Sequence, residues 1–159
     1  MESLNMSCEI GKVALAAITV IFCGLIAGQM LAIAIANQAA RKLPETSWTL
    51  RFQVENKLFT KTMPFFLLPP LLGLICVAFL TASTQRGLFS LAAALEFIVL
   101  VITMAFEIPI NTQVQSWSAG SAPSKWEAVR DRWLRFHWLR TVVGAASFAC
   151  SAIALGIHP

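Results

Sequence analysis

The chain has 159 residues, of which 57% are hydrophobic and only 13% are charged, and its net charge is +4. Soluble domains carry roughly 25% charged residues, so this composition excludes an ordinary soluble domain. The four cysteines show neither C-x-x-C nor Cys/His spacing, which argues against a zinc site and a disulfide framework.

The hydrophobic residues are concentrated in four blocks, residues 13–36, 63–83, 88–110 and 139–157. Each block reaches or approaches the ~20 residues that a helix needs to cross a hydrocarbon core of about 30 Å. Backbone polar groups in lipid must be satisfied within helices, so we predict an all-α integral membrane four-helix bundle formed by a single domain. The first block is about twice as long as a signal-peptide core, and Glu2 and Glu9 precede it, so we expect a retained membrane helix.

The basic residues are distributed unevenly between the two sides of the predicted bundle. Lys12 and Arg86 lie on one side. The other side carries two long loops with most of the basic residues, namely Arg41, Lys42, Arg51, Lys57, Lys61, Lys125, Arg130, Arg132 and Arg135. By the positive-inside rule, both long loops face the cytoplasm and both termini face the non-cytoplasmic side. The bilayer accounts for this basic charge, and no nucleic-acid partner is expected, because the nearby aromatic residues belong to membrane-adjacent helices.

The first predicted helix carries small residues at four-residue steps, Gly24, Gly28, Ala32 and Ala36. Such a ridge lets another helix approach closely, either within the chain or in a second copy, and is therefore compatible with a homo-oligomer. Gln29 lies beside the ridge near mid-membrane. We interpret it either as an interhelical hydrogen-bonding group or as a contact for a ligand.

The first long loop is long enough to form a helix of its own. Pro44 and Glu45 are typical of a helix start, and Trp48, Phe52 and Glu55 then fall on one side. We therefore predict an interfacial helix in this loop, with Trp48 as its membrane-surface anchor. This helix would lie over the bundle as a lid.

Polar and proline residues surround the start of the second block. Glu55 and Asn56 come just before it, where they can reach a site at the cytoplasmic side. Pro69 and Pro70 follow within the block, and two missing backbone donors predict a kink or a break in the helix. Carbonyl groups freed at that depth must be covered by protein or by a cavity, which indicates a cavity in the cytoplasmic half.

Two carboxylates lie on the third predicted helix. Glu96 falls within the bilayer, where a charged side chain costs about 2.5–3.5 kcal/mol on insertion scales, so it is either functional or a protonated, hydrogen-bonded group. Glu107 lies on the same helix face at the cytoplasmic end, ~16 Å away by helical rise, so the two do not form one pair. Asn111 is the direct neighbour of Glu107 on the helix surface, and Pro109 is expected to bend the helix there.

A turn rich in Gly, Ser and Pro, residues 116–124, precedes the last helix. Ser124 and Glu127 predict a capping box, and the helix that starts there should continue into the membrane as an extended fourth helix. At about 100° per residue, one narrow stripe of this helix contains Trp126, Arg130, Trp133, His137, Arg140 and Gly144. The stripe is interpreted either as a functional surface or as interfacial tryptophans beside arginines that bind lipid phosphates.

The second half of the chain combines an asparagine, three tryptophans, two arginines and a histidine at Asn111, Trp117, Trp126, Arg132–Trp133, His137 and Arg140. This pattern resembles the signature of the anthrone oxygenase-like family of small four-helix membrane proteins. The first half resembles that family through its helix layout, the small-residue ridge and Asn56. The resemblance implies an enzyme that oxygenates an activated methylene in a planar, polyketide-like aromatic compound to a quinone, with dioxygen and without an organic cofactor.

The residues can be interpreted for that chemistry. Proton abstraction next to a carbonyl needs a base that is effective near neutral pH, and His137 is the only suitable imidazole, because His158 lies on the other side of the membrane. Arg140 and Asn111 would stabilise the resulting enolate, and Glu107 would orient His137. The expected substrate-binding residues are Trp126, Trp133, Arg130, Gln29 and Asn56.

Two alternatives compete with this interpretation. In a metal-dependent membrane oxidase, Glu107, His137 and Glu55 would bind iron or copper, although the sequence lacks the paired Glu-x-x-His elements of di-iron bundles. In a non-enzymatic membrane subunit or transport accessory protein, Glu96 would relay protons or ions. The His137 stripe would then bind lipid or a partner protein.

Overall fold

The computed structural model describes residues 2–118 and 120–157, and His158 lies outside them. The described residues form helices only: α1 (Glu2–Ala40), α2 (Glu45–Leu80), α3 (Ser83–Ile102), a π-helical turn (Thr103–Glu107), α4 (Ile108–Gln115) and α5 (Trp126–Gly156). Four segments are long and apolar enough to cross a membrane, namely α1, α2, α3 through α4, and α5. The predicted all-α membrane four-helix bundle and its extended fourth helix are confirmed, and the architecture is that of a multi-pass membrane protein.

Helix α2 differs from the prediction for the first long loop. One continuous helix runs from Glu45 to Leu80, so the interfacial helix is not a separate element but the first part of α2. Pro69 and Pro70 lie within this helix, so of the predicted kink or break, the break does not occur. A break would expose freed carbonyl groups to lipid, which costs more than two missing N–H donors inside an otherwise apolar helix.

The turn between α2 and α3 is short, and the start of α5 differs from the prediction. The turn between α2 and α3 consists of Thr81–Ala82. Helix α5 begins at Trp126, and no side-chain hydrogen bond caps it, so the expected capping box of Ser124 and Glu127 does not form. The backbone N–H of Trp126 donates instead to the carbonyl of Pro123, at 2.9 Å.

The core nearest the Thr81–Ala82 turn is built from small and medium apolar side chains of all four long segments, including Cys23, Leu74, Val77, Phe89 and Ala154. Small residues set the distances between helices there. A Cβ atom on Gly24 would lie only 2.9 Å from the ring of Phe148, so α5 packs directly over this glycine. The rest of the small-residue ridge, Gly28, Ala32 and Ala36, is exposed, and Ala32 and Ala36 line a groove between α1 and α2.

The opposite end of the bundle carries the loops between α1 and α2 and between α4 and α5, and we call it the long-loop end. It is closed by an aromatic cap, Trp48, Phe52, Trp117, Trp126 and Trp133. Trp48 is fully buried at the centre of the cap, and its ring lies 5.1 Å from that of Phe52 and 5.6 Å from that of Trp126. The aromatic cap therefore separates the interior of the bundle from the long-loop end.

Side-chain amides attach α2 to the end of α4 beneath the aromatic cap. The Nε2 atom of Gln53 donates to the carbonyl oxygens of Val114 and Trp117, both at 2.9 Å. In return, the Nε2 atom of Gln115 donates to the carbonyl of Gln53 at 3.0 Å. We call these three hydrogen bonds the Gln53 link.

Candidate functional site

A π-helical turn positions the two inward polar residues between α3 and α4. Pro109 has no N–H to donate, so it cannot continue the regular helical bonding of the preceding turn. The chain instead inserts a wider turn, in which the N–H of Ile108 donates to the carbonyl of Thr103, five residues earlier. Thr103 and Glu107 are both buried as a result. Single π-helical turns of this kind are frequent at functional sites.

Glu107 meets two residues of α5 in the interior of the bundle. Its Oε1 atom lies 3.0 Å from Nδ1 of His137, and its Oε2 atom lies 2.7 Å from Nη1 of Arg140. The exposed fraction is 2% for Glu107 and Arg140 and 0% for His137. Ionisable side chains buried together in a membrane protein are costly, which marks this group as a functional candidate.

The hydrogen bonds of His137 define where its protons lie. A carbonyl oxygen can only accept, so Nε2 carries a hydrogen and donates to the carbonyl of Met30 at 3.0 Å. Nδ1 lies 3.0 Å from Glu107 Oε1 and 3.1 Å from Arg140 Nη2. Two unprotonated acceptors repel at 3.0 Å, so a proton lies between Nδ1 and Glu107 when that contact is made. Without this proton, Nδ1 accepts a hydrogen bond from Arg140 instead.

This exchange of partners changes the charge of the group. With a carboxylate, a guanidinium and a neutral imidazole, Glu107, Arg140 and His137 are together neutral. Once a proton is shared between Glu107 and His137, the same three residues carry one positive charge. In that state the group would be an electrostatic partner for an anion.

Surrounding side chains hold the three residues in place. Arg140 Nη1 also donates to the hydroxyl of Thr103 at 3.0 Å, and that hydroxyl donates to the carbonyl of Val99 at 2.8 Å. The ring of Trp133 stacks on the imidazole of His137, with centroids 4.6 Å apart and planes 16° apart. The imidazole therefore has little freedom to rotate.

Asn111 is oriented by the same tryptophan. The indole Nε1 of Trp133 donates to Oδ1 of Asn111 at 2.8 Å. This bond assigns the oxygen of the amide to Trp133 and leaves its NH₂ group as a donor for another partner. Asn111 lies on the wall of a cavity, so that donor is available to a bound molecule.

The cavity lies between α2 and the π-helical turn and has a volume of about 430 Å³. Its wall is mostly apolar, with aromatic surface from Phe52, Phe59 and Trp133. The polar residues on the wall are Asn37, Glu55, Asn56, Thr60, Thr103, Glu107, Asn111 and Arg140. This combination of apolar surface and a few convergent polar groups is typical of a small-molecule site.

The structure brings most of the predicted site residues to this cavity. Six of them form part of its wall: Glu55, Asn56, Glu107, Asn111, Trp133 and Arg140. His137 is not on the wall but lies directly behind it, in contact with Glu107 and Trp133. Its two ring nitrogens face Glu107, Arg140 and a backbone carbonyl rather than the cavity.

Three predicted substrate-binding residues lie elsewhere. Trp126 belongs to the aromatic cap, and the guanidinium of Arg130 stacks over its ring at 4.9 Å. Arg130 also donates to the carbonyl of Arg41 at 3.1 Å, which fixes the loop before α2. Gln29 is partly buried on α1 and is not part of the cavity wall. Trp126 and Arg130 shape the fold around the site, and none of the three side chains is part of the cavity wall.

Several functional features had little or no sequence signal. The carbonyl of Met30, which fixes the tautomer of His137, is a backbone group, so no residue type reveals it. Asn37 and Met104 on the cavity wall resemble ordinary helix residues in the sequence. The π-helical turn did have a signal, because Pro109 at a predicted inward bend is typical of a local change in helical bonding.

The expected metal ligands do not form a donor set. Glu55 is paired with Arg51 at 2.8 Å, and both ring nitrogens of His137 are engaged in hydrogen bonds. A metal-binding imidazole needs a free lone pair on one nitrogen. Across residues 2–118 and 120–157, no three His, Cys, Asp or Glu side chains are grouped around a common point. The side chains present therefore do not suit an iron or copper site.

Glu96 forms a separate buried polar site, away from the cavity. Its carboxyl is packed beside the hydroxyl of Ser147, which donates its own hydrogen to the carbonyl of Ala92 at 2.8 Å. Oε1 of Glu96 is buried and has no hydrogen-bond partner among the described residues.

Comparison with known proteins identifies one matching family. The family model described as anthrone oxygenase matches residues 56–150, which is more than half of the chain. The match runs from the middle of α2 to near the end of α5 and includes Glu107, Asn111, His137 and Arg140. No curated protein and no solved structure matches the chain.

Proposed function

This chain belongs to the anthrone oxygenase family, and we propose that it is a membrane-embedded oxygenase that converts an anthrone-type methylene into a ketone with dioxygen. The proposed organic substrate is a small planar aromatic compound of polyketide type. The observation that carries this proposal is the buried Glu107–His137–Arg140 group, of which Glu107 and Arg140 face a mostly apolar cavity.

In the proposed first step, Glu107 takes a proton from the methylene carbon of the substrate. We assign this step to Glu107 rather than to His137, because Glu107 lines the cavity and His137 lies behind it. His137 then acts as a positioning residue that shares the proton through Nδ1. The uptake gives the group its positive charge at the moment when the substrate becomes an enolate, and this timing favours the charged transition state.

Arg140 and Asn111 are proposed to stabilise the enolate. The guanidinium supplies a fixed positive charge beside Glu107, and the NH₂ group of Asn111 supplies a hydrogen-bond donor four residues along the helix. Both are held in place before the substrate arrives, by Thr103 and Trp133 respectively. Donors that need no reorganisation during the reaction are the most effective stabilisers of a developing charge.

The oxygenation that follows balances without an added reductant. The electron-rich enolate transfers electrons to dioxygen, a carbon–oxygen bond forms at the former methylene, and Glu107 returns its proton to the outer peroxide oxygen. Cleavage of the oxygen–oxygen bond and loss of the second methylene hydrogen then release water and leave a carbonyl. One substrate methylene and one dioxygen thus give one ketone and one water.

The size and the surface of the cavity support a planar aromatic substrate. A volume of about 430 Å³ lies within the range of about 300–1,000 Å³ for small-molecule sites. Phe52 and Trp133 offer aromatic faces on which a flat ring system can stack. The polar groups Asn56 and Thr60 lie on the α2 side, where they can hydrogen-bond phenolic hydroxyl groups.

We propose that the long-loop end faces the cytoplasm. That end carries the basic residues of both long loops, whereas Lys12 and Arg86 lie toward the other end. The positive-inside rule then puts both termini on the non-cytoplasmic side. In this orientation the reaction takes place in the cytoplasmic half of the membrane.

The proposed function is tested with purified protein in lipid vesicles supplied with anthrone. We expect dioxygen uptake and anthraquinone absorbance to rise together, one dioxygen per anthraquinone, well above the rate in protein-free vesicles. The protein-free control is necessary because anthrone also oxidises slowly by itself. Equal rates with and without protein would contradict the proposed anthrone chemistry.

A further inference from the structure

Part of the cavity wall is apolar and exposed. Three residues of its wall, Leu68, Met104 and Ile108, are also exposed on the outside of the bundle, by 45%, 59% and 43%. All three are apolar and lie on helices that cross the membrane. Their outer surfaces therefore face hydrocarbon, and the gap between them joins the cavity to the bilayer.

Attachments at both ends keep this gap in place. At the long-loop end the Gln53 link fastens α2 to α4. At the other end Leu74 and Val77 of α2 pack into the core with Phe89 of α3. The backbone of α2 contacts α3 and α4 but makes few or no contacts with the π-helical turn. The result is a slot whose width is set by the fold.

The other ways into the cavity are blocked by side chains. The aromatic cap closes it from the long-loop end, with Trp48 fully buried. A second groove, between α1 and α2, is separated from the cavity by a wall that includes Asn37 and Phe59. Glu55 of that wall is held in an ion pair with Arg51 at 2.8 Å. A neutral aromatic molecule would have to displace charged and polar groups to enter there.

We propose that the organic substrate enters laterally from the bilayer, through the slot between α2 and the π-helical turn with α4. This proposal rests on the proposed function and names the source of its substrate, a hydrophobic aromatic compound dissolved in lipid. The slot begins at Thr60, level with Lys57 and Lys61, and reaches Leu68 ~12 Å deeper by helical rise. Basic side chains mark the headgroup border, so the slot opens just beneath it. Amphipathic aromatic rings concentrate at that depth.

The route is tested by binding of anthraquinone to protein in vesicles, measured by stopped-flow quenching of tryptophan fluorescence. Three variants each add one tryptophan: Met104→Trp in the slot, Ala36→Trp in the second groove, and Val101→Trp, a matched lipid-exposed position on α3 outside the cavity wall. We expect Met104→Trp to lower the association and dissociation rates together, at least tenfold relative to Val101→Trp. The dissociation constant should change little, because a blocked entrance alters both rates equally.

The results of this experiment distinguish a wrong entry route from a wrong substrate class. Equal rates for the Met104 and Val101 variants, or slow rates for the Ala36 variant alone, would overturn the route. Absence of anthraquinone binding to the unmodified protein would instead overturn the proposed substrate class. If Met104→Trp also raises the dissociation constant, the same comparison is made with Leu68→Trp, on the opposite side of the slot. The rate should also follow the mole fraction of anthraquinone in the lipid, and dependence on its aqueous concentration alone would overturn the route.

Discussion

Replacement of Glu107 by glutamine separates the proposed base from the architecture around it. In Glu107→Gln the amide oxygen can accept from Nη1 of Arg140, and the amide NH₂ can donate to Nδ1 of His137. Both contacts of the carboxylate are thus retained. The variant also carries the same charge as the proton-loaded state of the group, so it mimics the enzyme after proton abstraction.

The expected changes in turnover and in stability follow from this similarity. Loss of a general base typically costs about 10²–10⁴-fold in rate, and we expect turnover of anthrone to fall by that amount. We expect Glu107→Gln to lower the free energy of unfolding by less than Glu107→Ala, because the amide keeps both hydrogen bonds although Arg140 loses its counter-charge. Glu107→Ala removes the hydrogen-bonding partner as well as the counter-charge of the buried Arg140, a change that costs about 3–5 kcal/mol.

The assay compares turnover, binding and stability in one preparation. Dioxygen uptake with anthrone reports turnover, anthraquinone binding reports an intact cavity, and thermal unfolding reports stability. Glu96→Gln is the matched control, since Glu96 is an equally buried carboxyl on the same membrane segment but outside the cavity wall. Turnover by Glu107→Gln within tenfold of the unmodified protein would refute the assignment of the base. Equal losses in both variants would show a general effect of removing a buried carboxyl.

Three further predictions concern stabilisation of the enolate, the absence of a metal and the orientation in the membrane. Asn111→Asp keeps the oxygen that accepts a hydrogen bond from Trp133 but removes the NH₂ donor. We therefore expect kcat/KM for anthrone to fall roughly 10²–10³-fold with little change in thermal stability, and an unchanged kcat/KM would remove Asn111 from the mechanism. Treatment with a chelator should leave the rate unchanged, because the nitrogens of His137 are occupied; a loss restored by iron or copper would establish the metal-dependent alternative. A tag after the C-terminus should be accessible only from the non-cytoplasmic side, and a cytoplasmic tag would place the cavity in the other leaflet.

The sequence predicted the bundle and the approximate position of the site for clear physical reasons. Only helices satisfy the backbone in lipid, so four apolar blocks had few other folds available. Because α3 with α4 runs antiparallel to α5, Glu107 and His137 at neighbouring helix ends were expected to meet, and they do so at 3.0 Å. The small-residue ridge was less informative, since Gly24 packs closely against Phe148 whereas the other three ridge residues are exposed.

The details within the site depended on information that a helical pattern does not contain. The stripe from Trp126 to Arg140 lies on one face of α5, but its members meet different neighbours at different depths. Trp126 joins the aromatic cap, Trp133 reaches the cavity and His137 lies behind it. Periodicity gives the face on which a residue lies, whereas its neighbour depends on where the facing helices begin and bend. The π-helical turn before Pro109 is such a bend, and it determines that Glu107 rather than His137 lines the cavity.

The three ionisable residues are best understood as one unit, because none is stable in this position alone. A buried charge without a partner is far more costly than a surface one, and the exposed fractions of these residues do not exceed 2%. Arg140 supplies the counter-charge for Glu107 when the proton is absent, and His137 supplies a second basic atom when it is present. The same arrangement that makes the group tolerable in the membrane also places a second basic atom, Nδ1 of His137, 3.0 Å from the proposed base. A base whose neighbours are already in place needs less reorganisation to accept a proton inside a mostly apolar cavity.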